Sequence, residues 1–198
     1  MTKKLEHSVL TEDQFNKLFT NAHSQRTFEP EEPDVELLRR AYNLIKWAPT
    51  EFNISTLRID LFTSEKGREA VAKTMSPGNR PAAKAAPYLM VLSYDEAFEN
   101  HLPELGLGNQ LIDSLTGNLE MAHDNAIVQA GYLILTLRAL GLHLCPMSGA
   151  NFEEMNETVF ADSTRHPFLV LVAGTHPTDE GMRPRSGRID DSDAIKVN

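Results

Sequence analysis

Cysteine is nearly absent. Of 198 residues only Cys145 carries a thiol, so no intramolecular disulfide can frame the fold. Positive charge is also in deficit: 19 Lys+Arg stand against 28 Asp+Glu, a formal net charge of −9. Such a balance repels nucleic acid, and an anionic ligand must be held by basic residues gathered locally. Long apolar runs are missing as well. The longest uncharged stretches, Asn125 to Leu137 and Ala139 to Phe152, are parted by Arg138 and fall short of the roughly 20 apolar residues a spanning helix needs. The amino-terminal region lacks the basic-then-apolar profile of a signal peptide. The expectation is a cytoplasmic protein with no membrane and no nucleic-acid partner.

Several signatures are missing too. There is no G-x-x-x-x-G-K-[ST] and no H-E-x-x-H, and the seven histidines (7, 23, 101, 123, 143, 166 and 176) contain no i, i+4 pair, so no metal site is expected. The stretch from Gly106 to Leu111 begins like a dinucleotide fingerprint, but Leu111 replaces its third glycine and no apolar strand precedes it. Cys145 and His143 share a strand face, yet a Cys between Leu144 and Pro146 reads as packing rather than as a nucleophile.

With 41% hydrophobic and 24% charged residues, the composition is that of a globular protein, and residues 1–198 are expected to form a single domain. Thr11 and Gln14 have capping-box spacing ahead of Phe15, Leu18, Phe19 and Ala22, which predicts a first helix ending near 21–24. A second runs from Pro33 or Asp34 to Ala48, where Pro49 closes it. Leu57, Ile59 and Leu61 alternate with Arg58 and Asp60 as a strand, and Ser64 caps the next helix. Ser76-Pro77-Gly78-Asn79 is turn chemistry, and Tyr88 to Tyr94 suits a strand buried on both faces. Residues 96–116, with scattered Gly, Pro and Asn, read as an excursion or lid with short helical pieces. Asn118 to Leu140 predicts a core helix ended by Gly141. A strand near Leu142–Cys145, a helix near Asn151–Val159 and a strand over Phe168–Ala173 follow. His176 to Asn198 reads as a polar tail with Arg183, Arg185 and Arg188. Interleaved helices and strands, without repeat or linker, predict one α/β-type layered domain.

Polar and glycine-bearing segments fall where helices and strands end: His23 to Phe28, Pro49 to Asn53, Pro146 to Gly149, and Pro184 to Arg188. Alone, Ser24 and Arg26 fit a locally satisfied helix end, and the tail arginines a solvated surface. In their order they are more specific. The W-A-P-T-x-x-N loop at Trp47–Asn53, the S-P-G-N turn at Ser76–Asn79, the A-A-P-Y strand entry at Ala85, the A-L-G-L-x-x-x-P-M-S-G stretch at Ala139–Gly149 and the P-R-S-x-R tail resemble the FMN-dependent nitroreductase family over nearly the whole chain. The branch containing malonic semialdehyde reductase resembles it most.

The resemblance implies an α+β, three-layer fold, with a mainly antiparallel sheet flanked by helices, in a homodimer with two sites at its interface. It implies FMN as cofactor, NADPH or NADH as electron donor, and ping-pong hydride transfer through flavin N5. The acceptor would be a small carbonyl such as malonic semialdehyde; the alternatives are a nitroaromatic or quinone reductase, or a flavin-binding protein with little turnover. By residue, it assigns His23, Ser24, Arg26, Arg185 and Arg188 to the phosphate, a dianion that needs charge and donors. Asn53 would face the flavin ring and ribityl region. Pro146, Met147, Ser148 and Gly149 would lie against the isoalloxazine, the Ser148 and Gly149 N–H groups facing N5 and O4, with no side-chain acid required. Asn125 is a further candidate. Two segments depart from the family's usual pattern: Ala22 replaces an Arg that members commonly carry before the His/Ser pair, and Ser55-Thr56-Leu57 replaces Gln-Pro-Trp.

Overall fold

Strand β2 explains the architecture. Its residues Tyr88, Met90 and Leu92 pack on one side and Leu89 and Val91 on the other, all fully buried, because a strand's side chains alternate between faces. Both faces must therefore be covered, and helices cover them. The computed structural model describes residues 9–180 and 184–197, so Arg183 lies outside the described residues.

In chain order the elements are α1 (Glu12–Phe15), continued by a wider turn at Asn16–Thr20, α2 (Val35–Ile45), β1 (Leu57–Leu61), α3 (Glu65–Thr74), α4 (Arg80–Ala85), β2 (Tyr88–Asp95), α5 (Asn109–Leu115), α6 (Leu119–Ala139), β3 (His143–Met147), α7 (Phe152–Val159), β4 (Arg165–Gly174) and α8 (Asp191–Ala194). The four strands form one sheet in the order β1-β2-β4-β3, every neighbouring pair antiparallel. The interleaving of helices and strands suggested α/β layering; the sheet corrects this to α+β. A hydrophobic pattern carries no strand direction.

One core lies between the sheet and α2 with α6 (Leu38, Ala41, Ile45, Ala130, Leu133, Leu137). The other lies between the sheet and α3, α4 and α7 (Val71, Ala72, Ala83, Met155) and includes Cys145, 1% exposed. The molecule is thus three layers, and Cys145 packs as expected. The excursion over 96–116 coils into a 3-10 segment at Phe98–Leu105 and α5, and buries Phe98, Leu102 and Leu115 with Ile54, Met121 and Ala122.

Local chemistry sets the boundaries. Thr11 and Gln14 form both halves of the expected capping box, and Asp34, Ser64, Asn118 and Asn151 cap α2, α3, α6 and α7 through side-chain oxygens. Helix α2 ends at Ile45 rather than Ala48, because the N–H groups of Trp47 and Ala48 turn back to Leu44 and Ile45 in a tightened last turn. Helix α4 escaped the sequence pattern: it is six residues long with Pro81 in its first turn. Gly141 takes φ 95° just after α6, the left-handed stop a glycine allows.

Candidate functional site

The segment after α1 lies along strand β3. Ser24 pairs with Leu144, and the Gln25 N–H donates to the Leu144 carbonyl at 3.0 Å. The Gln25 side chain, 5% exposed, donates to the carbonyls of Thr27 at 2.7 Å and Thr178 at 2.6 Å. Glu29 N–H reaches His176, and Thr178 N–H reaches Thr27. The first residues of the expected polar tail are therefore stitched to residues 27–29. Arg185 Nη2 donates to the Ala22 carbonyl at 2.7 Å.

The result is a cleft of about 620 Å³ lined by His23, Ser24, Arg26, Arg185 and Arg188. All five phosphate candidates, from opposite ends of the chain, come together. Arg138 on the last turn of α6 joins them, a residue the sequence reading met only as a break between apolar runs. Among the described residues none of the four arginines pairs with a carboxylate; the ion pairs fall elsewhere. The charge is felt within the cleft: burial, and then the neighbouring Arg185, lower the pKa of the Arg138 guanidinium from its usual value. A cationic cleft without a counter-charge suits a multiply charged anion.

The opposite end of β3 carries Pro146, Met147, Ser148 and Gly149. The Gly149 carbonyl accepts from Ser76 N–H at 2.9 Å and from Asn79 Nδ2 at 3.1 Å, so the S-P-G-N turn and the P-M-S-G segment, separate in sequence, form one structure. The approach favours glycine: a Cβ at Gly149 would stand 2.8 Å from Asn79 Nδ2 and 2.9 Å from Ser76 Oγ, so those side chains would have to shift. Asn79, 8% exposed, is a further residue that sequence reasoning missed beyond its part in the turn. Leu144 at the cationic end and Gly149, two residues past the end of β3, stand five positions apart, at most about 16 Å at strand rise.

The loop before β1 is held from beneath. Phe52 and Asn53 have φ 49° and 61°, values a non-glycine residue adopts only when its surroundings impose them. Helix α6 supplies the constraint at i, i+4 and i+7. Asn125 Oδ1 accepts from Glu51 N–H at 2.8 Å, while its Nδ2 donates to Met121 at 2.9 Å. Gln129 Oε1 accepts from the Thr56 and Leu57 N–H groups at 3.1 and 3.0 Å, and Tyr132 donates to the Pro49 carbonyl at 3.0 Å. Asn125 is thus buried under the loop, both amide atoms engaged by the protein. Asn53 sits exposed on the loop and does not line the arginine cleft.

A three-layer α+β fold with a cationic cleft and a backbone ledge at the two ends of one strand defines the class of protein. The Nitroreductase family matches residues 20–175, and the chain belongs to that family. A Leptothrix cholodnii protein with the provisional name NADH dehydrogenase/NAD(P)H nitroreductase is 33% identical over 187 residues, covering 92% of this chain and 94% of its own. A Streptomyces coelicolor protein of the same provisional name is 36% identical over 177 residues, covering 87% and 89%. Among solved structures, a provisionally named nitroreductase of Exiguobacterium sibiricum in complex with FMN aligns with TM-score 0.75 at 19% identity, over 96% of this chain and 99% of that one. A nitroreductase family protein of Streptococcus pneumoniae aligns at TM-score 0.73 and 20% identity, over 93% and 100%. At these identities the two structures speak to the fold.

Proposed function

We propose that this protein is a cytoplasmic, single-domain FMN-dependent NAD(P)H oxidoreductase that reduces a small carbonyl compound of the semialdehyde class. The observation that carries the reading is the uncompensated arginine cleft at one end of β3 with the Gly149 ledge at the other. An FMN phosphate fits the first by charge, and a flat, partly polar ring fits the second. When bound, FMN supplies the redox chemistry that passes a hydride from NAD(P)H to the acceptor, with donor and acceptor occupying one site in turn.

The chain's own residues do the holding. Arg26, Arg185 and Arg188 balance the phosphate charge, and Ser24 and His23 add hydrogen-bonding groups. The Ser148 and Gly149 N–H groups offer donors where negative charge develops on reduction. Asn79 keeps Gly149 in place. Asn53, outside the arginine cleft of its own chain, serves a site completed by a second copy. Support for that dimer comes from large apolar side chains left exposed at the end of α2, on the loop and on α6: Leu44, Trp47, Phe52, Ile127 and Val128, surface that association would remove from water.

The nitroreductase in the relatives' names favours a second reading, reduction of a nitroaromatic at the same site, with a quinone as a further candidate acceptor. The purified protein should be yellow, or become so with added FMN, and bleach anaerobically with NADPH or NADH. Reoxidation by aldehydes, nitro compounds and quinones then ranks the acceptors. A protein that takes up no FMN overturns the proposal; one that binds FMN but is bleached by neither nicotinamide is a flavin-binding protein with little turnover.

A further inference from the structure

We infer that Arg138 is a fourth phosphate-anchoring residue, and the most rigidly presented of the set. The inference rests on the flavin reading above and adds a residue to it. Arg26, Arg185 and Arg188 are carried on irregular segments, whereas Arg138 stands on α6, a 21-residue helix whose neighbouring Leu133 and Leu137 are fully buried in the core. Its place is the last helical turn, where the backbone carbonyls favour a cation.

One donor, Nη1, is committed to the Leu18 carbonyl at 3.1 Å, which fixes the side chain between α6 and the end of the first helical segment. A guanidinium has five N–H donors, and no other protein acceptor is engaged by Arg138 among the described residues. The group is half-buried beside Arg185, and the like charge penalises it. A doubly charged phosphate between them turns that repulsion into attraction at no reorganisation cost to α6. The cleft also includes Ala22, whose side chain is a methyl group. The charge absent from position 22 is supplied at position 138, from a different element and through space.

The test is titration of the full-length apoprotein with FMN and, separately, with riboflavin, followed by quenching of flavin fluorescence. Arg138→Gln keeps a donor for the Leu18 carbonyl while removing the charge, and Arg138→Lys keeps the charge. Loss of one charge-assisted contact should weaken FMN binding by roughly 10- to 100-fold, leave riboflavin binding unchanged and be partly restored in Arg138→Lys; thermal melts of the apoproteins should coincide. Unchanged FMN affinity in Arg138→Gln overturns the inference, as does an equal loss for FMN and riboflavin, which marks a structural role. A shift in NADPH over NADH preference with FMN affinity intact also overturns it and assigns Arg138 to the nicotinamide donor. If the unsubstituted protein binds no FMN, the failure belongs to the flavin reading itself.

Discussion

Gln129 on the core helix meets Leu57 at the head of β1: its Oε1 accepts the Leu57 N–H at 3.0 Å and the Thr56 N–H at 3.1 Å, while Nε2 contacts Ser55 Oγ at 3.1 Å. One side chain, 2% exposed, thereby satisfies two backbone amides at the point where the loop becomes strand. Replacing it with the near-isosteric but apolar Leu leaves both unsatisfied, at a cost of about 1–3 kcal/mol each. Gln129→Leu should lower stability to urea by about 2–6 kcal/mol. A change within the range of ordinary surface substitutions would show that the loop finds other partners.

Gly149→Ala tests the ledge. The added methyl meets Asn79 and Ser76 at under 3 Å, and overpacking of this kind costs about 1–3 kcal/mol. The expected outcome is a lower melting temperature together with reduced flavin content after purification. Asn79→Ala in the same chain removes the closest clash, so the pair should be non-additive in a double-mutant cycle; strict additivity would mean that the clash is not the cause.

The tail arginines carry a separate prediction. Arg185→Ala with Arg188→Ala should weaken FMN binding by at least about tenfold and leave the far-ultraviolet circular dichroism unchanged, since both side chains are exposed and bond only backbone carbonyls. Unaltered flavin occupancy would remove the tail from the site.

What the sequence discloses here is what is local. The Thr11 box, the Ser64 cap, the doubly buried run at Tyr88 and the Gly141 stop depend on neighbours within a few residues, and each lies where patterning places it. Convergence is not local. Arg138 and Arg185 are 47 positions apart in numbering, and nothing about an arginine in an apolar helix says which chain end will fold against it. Gln129 and Tyr132 fall at helical spacing after Asn125, yet the three side chains gain meaning only from the loop they hold. The phosphate candidates could be found because their segments match a family in a fixed order. Arg138 lies outside every such segment, and Gln25, though inside one, shows its carbonyl contacts to Thr27 and Thr178 only in the folded chain.

The ion pair across β1 and β2 yields a pH prediction. Arg58 Nη2 lies 2.6 Å from Asp95 Oδ2 with both side chains largely buried, and Asp95 Oδ1 accepts from Thr164 Oγ1 at 2.6 Å and Ala97 N–H at 3.1 Å. Burial alone would raise the Asp95 pKa, but the Thr164 hydrogen bond, the Arg58 charge and the Ala97 amide outweigh it, and the net direction is down. A folded-state pKa below the unfolded one, ordinarily about 3.9, gives stability that is fully present above that value and lost as pH falls through the folded pKa. Urea midpoints of the unsubstituted protein should therefore decline below about pH 4. In Asp95→Asn the protein should start less stable at pH 7, because Arg58 is left buried without its partner, and its decline in acid should be shallower. Parallel curves for the two proteins would assign the acid sensitivity to other carboxylates.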